Sequence, residues 1–360
     1  MSSMQAHVID LPKDANQTSH WQSQAPVSEQ AKWSFVTRNV DHSQINSVGA
    51  LPERKPEPGD LLVARVLRLA QHTKIQLPCG RRSALFPGDD IVVAYGNRYA
   101  PDQFEAEVPT DFGHCHLVAA GGVAARALSK NSKLKWPTDI QPQGYLLNQS
   151  NQVMNLRDFS QPTPGAGFDQ PVICVAGTSM NAGKTTVMAS LIHGFSAAGR
   201  NVAAIKVTGT GAGNDIWAYT DAGARLTLDF TDAGFVSTYL LSDDAIAKCM
   251  ARLVNTARAR ADIDVVLMEV ADGLLHNESL NLLTSPEFKS LDARLVFAAG
   301  EAMGATAGVS ILAEHGLRAS AISGVVSASQ LAAHEASKAT GLPVLSKGQL
   351  QCPDVASGLL

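Results

Sequence analysis

The sequence predicts an α/β protein in which a small β-rich domain precedes a mostly parallel sheet covered by helices. Three observations carry this. From Gln170 onward, continuous apolar runs alternate with stretches of helical length, the rhythm of parallel strands joined by crossover helices. Between Gly59 and Gly122, short β-branched runs are broken by turn signals instead. The 360 residues, 45% of them hydrophobic, are enough for about two cored domains.

Taken in order, residues 1–58 are rich in Ser, Gln, Asn and His and end in the Pro-studded LPERKPEPG, so they read as a mobile arm with one docked stretch around Trp33 to Val40. Residues 59–124 read as the small β domain, through LLVARVLRL, TKIQL, the turn PCGRR, SALF, the turn PGDD and IVVAY. The peptide from Gly96 to Pro109 offers Arg98, Tyr99 and Glu105 as a substrate or subunit contact, against the plainer reading of a packed loop. Residues 125–169 alternate Pro, Asn, Gln and Gly with short apolar runs and read as a linker.

Residues 170–360 form the α/β domain. Its strand candidates are PVICVAG, NVAAIKV, IDVVLMEV, ARLVFAA, ASAISGVVS and PVLS. Helices are expected after PVICVAG, in EAMGATAGVSILAEHG and through QLAAHEASKATG.

Charge excludes some functions. Only 17% of the residues are charged and the net charge is −4 with no Lys/Arg run, so nucleic acid is not an expected partner. No apolar stretch is long enough to span a bilayer and the N-terminus lacks a basic-then-apolar pattern, so no membrane partner is expected either. Cys79, Cys115, Cys174, Cys249 and Cys352 are scattered without a Cys-x-x-Cys pair, as befits reduced thiols in a cytoplasmic protein.

The chemistry centres on Gly177-Thr178-Ser179-Met180-Asn181-Ala182-Gly183-Lys184-Thr185, which fulfils G-x-x-x-x-G-K-[ST] between an expected strand and an expected helix. Such a loop exposes backbone N–H groups around a phosphate at the positive end of the helix dipole. With Thr186 it forms the expected nucleotide-binding segment. Lys184 would reach the β- and γ-phosphates and the Thr185 hydroxyl would ligate Mg²⁺. Asp264-Val-Val-Leu-Met-Glu269 places Glu269 at the end of a buried strand, facing the crevice where ligands bind in open α/β sheets, with Asp272 a second candidate. Lys206 closes the next strand and would clamp transferring phosphoryl charge. Asp215 is the candidate third metal ligand, with Asp221 its rival.

Gly209-Thr-Gly211-Ala-Gly213 fails G-x-G-x-x-G because Asn214 displaces the third glycine, and reads as a flexible substrate or phosphate loop. His114-Cys115-His116 reads as a packed strand, since adjacent residues point to opposite faces and cannot share one ion. Asp232 through Ser237, Thr238 and Tyr239 combines a turn with hydroxyls, and His276 is read as polar surface with a lesser claim to acid–base work. No Asn-Lys-x-Asp guanine motif occurs, which makes ATP the expected nucleotide. Between Pro171 and Ile216 the only charges are Lys184, Arg200, Lys206 and Asp215, three of them assigned to phosphate or metal.

These residues resemble the dethiobiotin synthetase group of P-loop enzymes over residues 170–348. The likeness rests on the loop from Gly177 to Thr185, on Lys206-Val-Thr-Gly209, on Val265-Val-Leu-Met-Glu269 and on Gly324-Val-Val-Ser-Ala328. It implies Lys184 and Thr185 on phosphate and Mg²⁺, Asp215 and Glu269 completing the metal shell, and Lys206 on a phosphorylated intermediate. Val207, Ser179, Ala271-Asp272-Gly273 and Ser327 depart from the group's usual Pro, Asp, Gly-Ala-Gly and base-reading Asn. The same region resembles a P-loop family that includes N-acyltransferases acting on D-amino acids, which would place coenzyme A phosphates in the loop.

The expected function is a Mg²⁺·ATP-dependent enzyme that activates a carboxylate or carbamate by phosphoryl transfer for ligation to an amine or similar nucleophile, with Lys184, Lys206 and Glu269 as its catalytic residues. An acyl-CoA-dependent N-acyltransferase and a nucleotide-switched delivery protein are the alternatives. The expected partner is a small-molecule substrate, and homo-oligomerisation is left open.

Overall fold

The computed structural model describes residues 25–161 and 167–360; the expected arm is described only from Ala25 onward. The N-terminal domain contains β1 (Lys32–Trp33), β2 (Ile45–Gly49), β3 (Leu61–Arg68), β4 (Lys74–Gln76), β5 (Arg82–Ala84), β6 (Asp90–Tyr95), β7 (Arg98–Tyr99), β8 (Phe104–Glu107), β9 (Cys115–Ala119), β10 (Val123–Lys130) and β11 (Thr138–Asn148). Strands β6, β3, β11, β9 and β10 pair in that order, and β10 returns to β6, closing a five-stranded ring. Alternation along each strand then gives two apolar sets. One includes Leu62, Val93, Leu117, Ala124 and Ile140 and fills the ring; the other is covered by Val36, Val40 and Val236, which lie outside it.

Two expected boundaries change. The segment 125–169 is not a linker throughout: β10 runs to Lys130 and β11 is the central partner of β2, β3 and β9. Composition hid it because Pro142 and Gly144 interrupt the apolar pattern, at a bulge where the register against β3 shifts. The described part of the expected arm is also packed. β1 pairs with β6, β2 pairs with β11, and Phe35 and Val36 are fully buried in the stretch expected to dock.

The second domain runs β12 (Val172–Gly177), α1 (Lys184–Ala197), β13 (Val202–Lys206), α2 (Asn214–Asp221), β14 (Leu226–Asp229), α3 (Asp243–Arg258), β15 (Val265–Glu269), α4 (Asn277–Thr284), α5 (Pro286–Lys289), β16 (Arg294–Ala298), α6 (Ala302–Glu314), β17 (Ala319–Ser323), α7 (Gln330–Thr340), α8 (Lys347–Leu350) and α9 (Pro353–Ser357). Its six strands are all parallel in the order β14-β13-β15-β12-β16-β17. Every residue of β12 is buried because both faces are covered. Cys174 and Ala176 face the core built with α3, α4 and α6, while Ile173 and Val175 face α1 and the C-terminal helices. This is the mostly parallel α/β domain, with a β-rich region before it, that the sequence predicts. PVLS contributes only an isolated bridge from Val344 to Ile322.

The domains meet at the ends of β13 and β14. Arg38 pairs with Asp229 at 3.1 Å and Asp232 at 2.8 Å, and Asn39 donates to Asp232 at 2.7 Å. Gly121 lies against Gly211 so closely that a Cβ on Gly121 would stand 2.1 Å from the Gly211 carbonyl oxygen. Among the described residues no helix is long and apolar enough to cross a membrane.

Candidate functional site

The loop from Gly177 to Gly183 joins β12 to α1 at the carboxyl edge of the sheet. Gly183, at φ +96, takes a left-handed conformation that a side chain resists, and this turns the chain into the helix. The open N-terminus of α1 therefore faces the crevice beyond β12 and β15. Thr178 N–H donates to Ala298 O at 3.0 Å, fixing the loop against β16.

Lys184 folds back over the loop, donating to Ser179 O at 2.8 Å and to Asp272 O. Burial pushes its ammonium below the ordinary lysine value, with Glu269 and Asp272 opposing. Beside it the Thr185 hydroxyl donates to Asp215 Oδ1 at 2.9 Å and reaches Glu269 Oε2 at 3.3 Å. Lys206 pairs with Asp215 and lies 3.8 Å from Glu269 Oε1. Burial disfavours that charge, yet the two carboxylates outweigh it and hold Lys206 above its ordinary value. Burial likewise opposes ionisation of Asp215, and Lys206 outweighs it, so Asp215 stays below the usual carboxylate range.

The structure thus brings Lys184, Thr185, Lys206, Asp215 and Glu269 together. All five line one cavity of about 530 Å³ with Met180, Asn181, Gly183 and Thr186 from the loop. That volume lies within the range of small-molecule sites, about 300–1,000 Å³. Asp272 also lines it, and burial raises its carboxyl above the usual value. Asp221 is exposed at the end of α2 and is not part of the cavity wall.

Among the described residues no three His, Cys, Asp or Glu side chains form a metal-binding group. A magnesium ion carried by a nucleotide needs none, since one or two protein ligands, phosphate oxygens and waters fill its octahedron. The oxygens of Thr185, Asp215 and Glu269 suit that hard cation.

The glycine loop expected to be flexible is held from outside. Gly209 N–H donates to Thr238 Oγ1 at 2.9 Å, Gly211 N–H to Val236 O at 2.9 Å, and Gly213 N–H to Gln76 Oε1 of the β domain at 2.9 Å. Gly211 and Gly213 serve close approach here, because Val36 and Phe35 leave no room for side chains, while Gly209 takes a φ of +138 that a side chain resists. Thr238 and Ser237 brace this loop, Ser237 through a bridge to Thr210. His114 and His116 both approach Asp139 Oδ1, at 3.5 and 3.6 Å, while Cys115 is buried away from them. His276 stacks on Tyr99 with ring centroids 4.6 Å apart.

Two contributions escaped the sequence. Tyr219, fully buried on α2, donates its hydroxyl to Glu269 Oε2. Its place four residues after Asp215 puts it on the same helix face, a signal that was available. The β domain supplies the far wall of the cavity through Arg98, Ala100, Asp102, Gln103 and Ala119. Asn181 donates to Asp102 Oδ2 at 3.1 Å across the gap.

Fold, loop and cavity define a P-loop NTPase domain, a nucleotide-binding module. Residues 172–273 match the family model described as "MobB: Molybdopterin guanine dinucleotide synthesis protein B". No curated protein matches the chain. Among solved structures, it is similar to the signal recognition particle receptor FtsY from Elizabethkingia anophelis at 21% identity and TM-score 0.34, covering 51% of this chain and 58% of that one. Chloroplast FtsY from Physcomitrella patens gives 14% identity and TM-score 0.34, covering 52% and 62%. The signal recognition particle 54 kDa protein from Aeropyrum pernix K1, in complex with GDP, gives 13% and 0.34, covering 53% and 45%. The chain thus spans less than two thirds of the length of each.

Proposed function

We propose that the protein is a Mg²⁺·ATP-dependent enzyme that phosphorylates a carboxylate or carbamate and passes the activated group to an amine or similar nucleophile. The observation that carries this reading is the shared cavity: Lys184 and Lys206 both face a space that extends past the phosphate loop to a wall made by another domain. A second substrate has room beside the terminal phosphate.

The backbone N–H groups of the loop and Lys184 hold the phosphates, Lys184 exchanging its bonds to Ser179 O and Asp272 O for phosphate oxygens. Thr185, Asp215 and Glu269 would hold Mg²⁺, which would neutralise charge on the nucleotide's phosphates. Lys206 stays protonated beside its carboxylates and turns toward the phosphoryl group in transfer. The substrate carboxylate oxygen bonds to the γ-phosphorus as the bond to ADP breaks. The nucleophile then attacks the acyl carbon, losing a proton, and phosphate leaves.

A second pocket of about 360 Å³ behind the loop, lined by Thr186, Ser190, Ser327, Ala328, Lys347 and Leu350 among others, has room for the base. The chain carries no Asn-Lys-x-Asp guanine motif, which supports ATP as the nucleotide.

The test is ADP release across a panel of small carboxylates, with hydroxylamine present to capture acyl phosphate as hydroxamate. The reading expects ADP and hydroxamate in equal amounts with particular carboxylates, and loss of both in Lys206→Ala. Nucleotide turnover at one slow rate regardless of carboxylate, or acyl-CoA consumed without nucleotide, would overturn it.

A further inference from the structure

We propose that Arg98, on β7 of the β domain, is the anchor for an oxyanion of the second substrate, which makes that domain the substrate-recognition module. This rests on the reading of the cavity as a two-substrate site.

Arg98 lines the cavity opposite Lys184 and Lys206, yet only 7% of it is exposed. Its guanidinium carries five N–H donors. One Nη1 proton goes to Val118 O and one from Nη2 to Gln103 Oε1 at 2.8 Å, while Nε–H has no acceptor. The carboxylates that act on it, Asp102 and Asp272, make no ion pair with it. Among the described residues no other arginine is buried to this degree, and Arg38, which is less buried, is held by two aspartates.

A buried charge without a counter-ion is costly, and structures retain one where a ligand supplies the partner. Burial shifts Arg98 down to about 10, which still leaves it a cation at neutral pH. Val118 O and Gln103 fix the plane of the fork, and a planar fork with free donors matches a carboxylate or a phosphoryl group. The phosphate loop already satisfies the nucleotide with backbone N–H groups and Lys184, so the anion facing Arg98 belongs to the other substrate. Asp102 shows where the ligand carries a donor: Asn181 takes its Oδ2, and its buried Oδ1 has no partner.

The probes are succinate and inorganic phosphate, titrated calorimetrically into the full chain with Mg²⁺·ADP filling the loop. The wild type binds at least one of them; preference for succinate assigns a carboxylate substrate and preference for phosphate a phosphoryl one. Arg98→Met is expected to weaken that binding at least tenfold and leave Mg²⁺·ADP affinity within threefold. Arg98→Lys recovers only part, lacking the fork. Arg98→Met leaves Val118 O and Gln103 Oε1 without this donor, so its ligand-free melting temperature is expected to fall modestly, while the probe raises the melting temperature in the wild type alone.

Equal probe binding by wild type and Arg98→Met would overturn the proposal, as would an equal loss of Mg²⁺·ADP affinity. If Mg²⁺·ADP fails to bind but succinate binding still depends on Arg98, the ATP reading falls and the anchor stands.

Discussion

Replacing Lys206 by methionine keeps most of its length and removes its charge, stranding Asp215 and Glu269 in a site where both are largely buried. At an effective dielectric constant of about 20, the 3.8 Å separation from Glu269 alone corresponds to roughly 4 kcal/mol. The observable loss is smaller than a sum over both carboxylates, because one of them can take up a proton instead. Raising a carboxyl from about 4 to pH 7 costs about 1.4 kcal/mol per pH unit, which caps the loss near 4 kcal/mol. That agrees with the roughly 3–5 kcal/mol typical of breaking a buried pair, and corresponds to about 10 °C in melting temperature for a domain of this size.

The sign of the pH dependence follows. In the wild type Asp215 is held low, so its contribution is present above the ordinary value of 3.8 and is lost as pH falls through its folded value. In Lys206→Met the folded pKa of the stranded carboxyl rises above its unfolded value, so the deficit grows between about pH 4 and pH 7. Denaturation at pH 4.5 and pH 7 measures it, and Lys206→Met combined with Asp215→Asn is expected to recover at least half. A deficit under about 1 kcal/mol at pH 7, or no recovery in the double variant, would show that Lys206 does not hold these carboxylates.

Two further outcomes are expected. Burial raises Glu278 to about 7 against an opposing bond from Leu240 N–H, so stability falls as pH rises from its ordinary 4.5 through about 7, and Glu278→Gln flattens that slope in thermal melts. Gly121→Ala forces a Cβ to within 2.1 Å of Gly211 O, so the glycine loop loosens and limited proteolysis between 209 and 213 accelerates; unchanged cleavage would show that the domain contact does not hold the loop.

The phosphate site was legible because its signals are local. Glycines, Lys184 and Thr185 stand at fixed spacing between a buried strand and a helix, and Lys206 and Glu269 end neighbouring parallel strands. The register that sets Lys206 opposite Glu269 follows once those strands pair. What was hidden depends on the fold of the whole chain. β11 carries Pro142 inside a strand that only its partners β2, β3 and β9 stabilise. Strand β2, Ile45–Gly49, sits in a polar segment whose composition resembles a free arm, and only its pairing with β11 orders it. Arg98 could be singled out for its aromatic and charged surroundings, but its place across from Lys184 required the two domains to be docked.

The proposed function requires the loop from Gly177 to Thr186 to bind Mg²⁺·ATP through Lys184. Calorimetric titration of wild type and Lys184→Ala with Mg²⁺·ATP, Mg²⁺·GTP and acetyl-CoA tests it most directly. Wild type is expected to bind Mg²⁺·ATP in preference to Mg²⁺·GTP, and Lys184→Ala to lose about 100-fold, as for two charge-assisted phosphate contacts. Acetyl-CoA binding without nucleotide binding, or unchanged nucleotide affinity in Lys184→Ala, would contradict it.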